Sequence, residues 1–156
     1  MTGTPVARAT ERIEFLITRL SEDRERIIIP TPVLSEILVY AGNAAERYID
    51  TLNRQAVFRI APFDQKAAIE AAIATRDALA RGGHRVDVVD PQTTKAKIKF
   101  DRQIVAIARA EGAHSLYSDD EELHRLAKRA DIKAFRTSDL ELPPEDPQQA
   151  LPFGEA

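Results

Sequence analysis

The chain contains no cysteine, which excludes disulfide bonds, thiolate metal sites and cysteine nucleophiles together. It has no tryptophan and only three tyrosines and six phenylalanines. No aromatic motif of the kind that stacks RNA bases is present, so base stacking is not indicated. A chain without cysteine is compatible with a reducing compartment, and we expect a cytoplasmic protein.

Long hydrophobic runs are also missing. No segment approaches the roughly 18 apolar residues of a membrane-spanning helix, and residues 1–10 lack the apolar core of a signal peptide. We therefore expect no membrane association. The formal net charge of −3 gives the whole chain no basic footprint for nucleic acid. A contact with RNA or DNA would need a local basic patch and a metal ion to offset the acidic residues.

The composition is otherwise that of one folded domain, with 156 residues of which 44% are apolar. Short β-branched or apolar runs alternate with segments of helical periodicity. Strands are predicted at 27–29, 57–60, 115–118 and 132–135, and helices at 6–20, 31–40, 44–54, 64–82, 95–111 and 121–130. This alternation predicts an α/β fold with a parallel sheet covered by helices on both faces. We assign residues 1–140 to the domain, with a polar loop at 84–94, and residues 141–156 to a proline-rich C-terminal tail.

Ligands of such sheets bind beyond the carboxyl ends of the strands, and acidic residues cluster there in the sequence. Glu36 lies in the helix after the first predicted strand, Asp101 in the helix at 95–111, and Asp119 and Asp120 directly after the third strand. Each one alone is more typical of a solvated helix or of a helix N-terminus than of a functional site. Together they would repel one another unless a cation were bound. Carboxylates without histidine or cysteine favour Mg²⁺ or Mn²⁺ and phosphodiester hydrolysis over zinc chemistry.

Three motifs in this order resemble those of PIN domains. Residues 27–37 (IIIPTPVLSEI) resemble the second acidic motif of that family, residues 100–108 (FDRQIVAIA) the third, and residues 116–123 (LYSDDEEL) the fourth. Residues 132–140 resemble the closing strand. Each motif is weak alone, but three in order within a strand–helix context are fairly specific.

The resemblance implies a three-layer α/β/α sandwich with a central parallel sheet. It implies a metal-dependent endoribonuclease that uses Mg²⁺ or Mn²⁺. It further implies the VapC-like toxin of a type II toxin–antitoxin pair, with RNA as substrate, a cognate antitoxin as partner and a homodimer as a possible assembly. Matched by motif, the catalytic and metal-holding residues are Glu36, Asp101 and Asp120, with Asp119 ranked lower because it occupies a variable position. Ser118 matches a hydroxyl that orients a ligand or water. Glu122 is a candidate outer acid of the site, but helix surface is the preferred interpretation.

One departure from the family pattern concerns the first strand. PIN domains begin with a strand that ends in a metal-binding aspartate, whereas this sequence has no such strand and no aspartate before Asp23. Either the true start lies upstream or the site is degenerate, and the three remaining acidic residues favour the first explanation. A degenerate site would make the chain a catalytically inactive PIN-like module that binds protein or RNA. An unrelated doubly wound domain with scattered surface acids is the third alternative.

Basic residues around the third motif are candidate RNA contacts. Lys95 and Lys99 share one face of the predicted helix, Arg102 follows Asp101, and Lys97 lies off the face of the first two. Phosphate binding by Lys95, Lys99 and Arg102 is one interpretation. An ordinary solvated helix start is an equally good one, and the sequence indicates no RNA specificity.

Overall fold

The computed structural model describes residues 5–81 and 95–144, in which helices and short strands alternate. The helices are α1 (Ala9–Glu22), α2 (Thr31–Ala41), α3 (Ala45–Arg54), α4 (Gln65–Ala80), α5 (Lys95–Ala110) and α6 (Glu121–Arg129). The strands are β1 (Ile27–Pro30), β2 (Phe58–Ala61), β3 (Ser115–Tyr117) and β4 (Lys133–Phe135). Two single 3₁₀ turns, Gly42–Ala44 and Thr137–Asp139, complete the described elements.

Local sequence features set several helix ends. The Asp64 side chain accepts a hydrogen bond from the Ala67 backbone N–H at 2.9 Å and so caps α4. Gly42 and Gly112 follow α2 and α5 with φ values of +51° and +71°, which favour glycine. Thr31 is the first residue of α2, and no side chain caps that helix.

All strand pairing in the described residues is parallel. β1 pairs with β2 in the register Ile27 to Phe58, and β3 pairs with β4 in the register Ser115 to Lys133. The strands form two two-stranded sheets, so the described part of the chain has two short ladders in place of one continuous sheet. The parallel α/β arrangement that the sequence predicts is confirmed.

Helix α5 contributes to both hydrophobic clusters of the core. Its residues Ile104, Val105 and Ala108 pack in one cluster with residues from β3, α6 and the start of β4. Its residues Ile107 and Ala110 pack in the other, with Ala61, Ala67 and the half-buried Ile28. Both strand pairs therefore pack against the buried side of α5.

Long-range polar contacts join α1 to the segment after β4. The Arg12 guanidinium donates to the backbone carbonyls of Ser138, at 3.5 Å, and Leu140, and Arg19 forms an ion pair with Glu141. The predicted loop at 84–94, the predicted end of α4 at 82–83 and the tail from 145 onwards lie outside the described residues. None of the helices described is both long and apolar enough to cross a membrane.

Candidate functional site

Two of the predicted acidic residues, Asp101 and Asp120, contact the same lysine, Lys97. Asp101 is on α5 with only 5% of its surface exposed, and Asp120 is the N-cap of α6, three residues after β3 ends. The Lys97 ammonium donates to Asp120 Oδ2 at 2.7 Å and lies 3.5 Å from Asp101 Oδ2. One positive charge therefore joins a buried carboxylate of α5 to a half-buried carboxylate at the carboxyl end of β3.

The two oxygens of the Asp120 carboxylate have different partners. Oδ1 accepts from the backbone N–H groups of Glu122, at 2.8 Å, and Leu123, at 3.3 Å, and thereby caps α6. Oδ2 points to Lys97. The Ser118 hydroxyl oxygen accepts from the Asp120 backbone N–H at 3.1 Å, so it fixes the turn that presents this aspartate. Ser118 thus orients Asp120. The motif suggested that it would orient a ligand or water directly.

The three charged groups are perturbed in different directions. Burial raises the pKa of Asp101, and the nearby Asp120 charge adds to this, while Lys97 opposes it. For Asp120, burial also favours the neutral form, but hydrogen bonds from Lys97 and from the start of α6 outweigh it and lower the pKa. For Lys97, desolvation opposes the charged form, but the two carboxylates together raise the pKa. The surroundings of Asp101 therefore favour its neutral, protonated form, whereas those of Asp120 favour the charged form.

Asp101→Asn is expected to stabilise the fold at neutral pH. Because the folded-state pKa of Asp101 lies above the ordinary value, the folded state retains this proton to higher pH than the unfolded state does. Stability is consequently lost as pH rises from the ordinary pKa through the folded one, and is lowest above both. Asparagine removes this effect, so we expect a higher Tm for Asp101→Asn than for the unmodified chain at pH 7.

Thermal denaturation at pH 4 and pH 7 measures this effect, with Asp77→Asn, at an exposed position of α4, as the matched control. The gain should be smaller at pH 4, where much of the Asp101 charge is already neutralised. A lower Tm for Asp101→Asn at pH 7 would mean that the attraction of Lys97 exceeds the penalty of burying the carboxylate.

The remaining predicted acids lie elsewhere. Glu36 is exposed on α2. The Asp119 carboxylate accepts from the Thr137 backbone N–H at 2.8 Å and from the Thr137 hydroxyl at 2.7 Å, and these bonds lower its pKa. Asp119 therefore holds the turn after β4. Within residues 5–81 and 95–144, no three acidic or histidine residues converge as metal ligands, so the structure joins Asp101 to Asp120 without Glu36.

The predicted RNA contacts on α5 face away from the carboxylate pair. Lys99 and Arg102 line a separate cavity of about 320 Å³ beside Phe63 and Thr75. At 3.6 residues per turn, Lys99 lies on the side of α5 roughly opposite Lys97 and Asp101, and Arg102 is turned about 100° from Asp101. The Lys95 side chain lies outside the described residues. Among the lysine side chains that the structure describes, Lys97 is the one that contacts the site, and sequence reasoning did not select it.

Glu122 was interpreted as helix surface, and this is wrong. Its exposed fraction is 7%, and its carboxylate forms an ion pair with Arg125 one turn later on α6. It is close enough to Asp101 for its charge to contribute to the raised pKa of that residue. The spacing Glu122–Arg125 indicates such a pair in the sequence, but burial of the pair depends on the packing of α6 against α5.

The donor set of the pair suits a hard divalent cation. Two carboxylates already hold a cation between them, in the form of the Lys97 ammonium. Mg²⁺ is commonly held by one or two carboxylates, with water and substrate phosphate completing its shell. Asp101 and Asp120 are thus the residues of this site that would hold a metal ion.

Comparison with known proteins shows the fold. No family model matches the sequence, and no curated protein sequence matches it. The chain is similar to a chain in the crystal structure of DNA-bound VapBC from Salmonella typhimurium, with a TM-score of 0.54 and 18% sequence identity. The similarity covers 85% of this chain and 89% of that one. The chain therefore has a PIN-like α/β fold, as the three motifs suggested.

Proposed function

We propose that this protein is a metal-dependent endoribonuclease of the PIN type and the toxin of a type II toxin–antitoxin pair. The observation that carries the proposal is the pairing of Asp101 with Asp120 around the Lys97 ammonium at the carboxyl end of β3. The PIN-like fold and its similarity to a chain of a VapBC complex support it. By the same analogy the proposed partners are a cognate antitoxin, an RNA substrate and a second copy of the chain, in a cytoplasmic setting.

Each residue of the site has a role in this proposal. Asp101 and Asp120 would hold Mg²⁺ or Mn²⁺. Glu36 is the third acidic residue that the motifs propose, and it is exposed on α2, outside the carboxylate pair. Ser118 keeps Asp120 in place through its hydrogen bond to the backbone. The metal ion, when bound, would activate water for attack on a phosphodiester and stabilise the charge that develops on phosphate.

A second candidate function is supported by the same geometry. The carboxylate pair is already neutralised by Lys97, and no third ligand joins it among residues 5–81 and 95–144. A site in this state is compatible with a catalytically inactive PIN-like module that binds a protein or RNA. Metal-dependent cleavage distinguishes the two candidates directly.

We expect the purified chain to cleave a 5′-labelled single-stranded RNA of mixed sequence with Mg²⁺ or Mn²⁺, and not with a chelator. Asp101→Asn should reduce the cleavage rate by about 100-fold or more, because one of two proposed metal ligands is lost. Gel analysis of the fragments over time measures the rate. Since the same substitution is expected to raise Tm, its loss of activity would not be explained by unfolding.

Asp77→Asn serves as the control, because it removes one acidic charge from an exposed position of α4. It should cleave at the unmodified rate. The endoribonuclease proposal is contradicted if the folded chain leaves RNA intact with either metal, or if Asp101→Asn cleaves as fast as the control. The inactive-module candidate would then be the better account.

A further inference from the structure

The Lys97 ammonium lies between the two carboxylates that would hold a metal ion. The oxygen of Asp120 that is not engaged in capping α6 is Oδ2, and the Lys97 ammonium lies 2.7 Å from it. The same ammonium lies 3.5 Å from Asp101 Oδ2. A cation that bridges the two carboxylates through these oxygens must therefore take the place of the ammonium.

We propose that Lys97 is a displaceable internal counter-cation that competes with the divalent metal for Asp101 and Asp120, and so sets the metal affinity of the site. The inference rests on the proposed function, because it assumes that these carboxylates hold a metal ion. It adds Lys97, which the three acidic motifs do not include. It also adds a regulatory property, because the Lys97 ammonium neutralises the two carboxylates until a metal ion displaces it.

Charge balance explains why such a residue is needed. Asp101 is buried, and the charges of Asp120 and Glu122 both oppose its ionisation. Glu122 has Arg125 as its own partner. Lys97 is the counter-charge that reaches the other two carboxylates, and it lowers the cost of keeping them ionised before a metal arrives.

The properties of the lysine side chain make the exchange feasible. About 44% of the Lys97 side chain is exposed, so the ammonium can move into water without disturbing the core. A flexible four-carbon stem and a strongly hydrated head group favour such movement. A divalent ion replaces one positive charge with two, so the site would gain charge neutralisation as the lysine leaves.

The test compares Mn²⁺ binding to the full chain, to Lys97→Met and to Lys99→Met by isothermal titration calorimetry. Lys99→Met is the matched control, since it removes the same charge from the same helix on the face that lies away from the carboxylates. We expect Lys97→Met to bind Mn²⁺ about tenfold more tightly than the unmodified chain, which is the scale of one hydrogen bond to a charged group. Lys99→Met should bind within about twofold of the unmodified chain, because its long-range charge effect is screened by salt.

The outcomes separate this inference from the proposed function. Equal or weaker Mn²⁺ binding by Lys97→Met, with RNA cleavage intact in the unmodified chain, overturns the counter-cation role and leaves the nuclease proposal standing. An absence of both binding and cleavage in every variant overturns both. Equal tightening in Lys97→Met and Lys99→Met would show a general charge effect, and it also overturns the specific role of Lys97.

A second measurement needs no variant and therefore does not depend on the folding of Lys97→Met. The unmodified chain is treated with an amine-acylating reagent with and without Mn²⁺, and the peptides that contain Lys97 and Lys99 are quantified by mass spectrometry. Saturating Mn²⁺ should increase acylation of Lys97 several-fold relative to Lys99, because the displaced amine is no longer ion-paired. Unchanged acylation of Lys97 at saturating Mn²⁺ would show that the ammonium stays in place and would overturn the inference.

Discussion

Ile107→Ala is expected to lower the free energy of unfolding by about 3 kcal/mol, within the range of 2–5 for such substitutions, and Tm by roughly 6–12 °C. Ile107 has no exposed surface and lies on α5. Its buried neighbours in the cluster are all alanines, with only the half-buried Ile28 as a further large side chain. Small neighbours cannot expand to fill the space that the substitution leaves, so the cavity would persist.

Ile69→Ala provides the control for this prediction, because Ile69 is on α4 with 52% of its surface exposed. Urea and thermal denaturation should place this variant within about 0.5 kcal/mol of the unmodified chain. If both variants lost the same stability, the effect would come from a general loss of apolar surface, and the packing around Ile107 would not be the cause.

Substitutions at Asp120 are expected to separate its two roles. Asp120→Ala removes both the cap of α6 and the carboxylate, and should cost about 1 kcal/mol of stability together with at least about 100-fold in RNA cleavage. Asp120→Asn keeps an oxygen that can accept from the Glu122 and Leu123 N–H groups, so its stability should remain close to that of the unmodified chain. It lacks the negative charge that would hold a metal, and its cleavage should be as low as that of the alanine variant.

Melting curves and the RNA cleavage assay, run on the same preparations, measure the two effects. Asp64 provides the comparison, since it caps α4 in the same way but is not part of the carboxylate pair. Asp64→Ala should lose a similar amount of stability and keep its cleavage rate. Cleavage by Asp120→Asn at the unmodified rate would show that Asp120 serves as a cap alone.

The arrangement of helices and strands was largely predictable because it depends on local features. The β-branched run before Pro30, the cap at Asp64 and the glycines that follow α2 and α5 each define an element boundary within one or two residues. The parallel order follows from the alternation of elements. The division of the strands into two pairs was not predictable, since hydrophobic periodicity indicates that a strand is buried but does not identify its neighbour.

The candidate site was predictable only in part. Asp101 and Asp120 were identified from motifs, and the structure brings them together. Lys97 was missed although its spacing of four residues from Asp101 is that of a helical ion pair. Lys95 and Lys99 were preferred because they share a helix face. The contact between Lys97 and Asp120 depends instead on how α5 packs beside β3. Glu122 was misjudged for a related reason. It is buried as an ion pair with Arg125, and the burial of that pair depends on tertiary packing, which the sequence does not show.

Because the strands form two separate pairs, the folding of both pairs depends on α5. Two-stranded ladders of three or four residues are marginal by themselves in water. Both ladders pack against the stretch of α5 from Ile104 to Ala110. Partial opening that detached this helix would leave neither ladder with enough buried surface to persist. We therefore expect the amide protons of this stretch to exchange most slowly, and only when the whole domain unfolds.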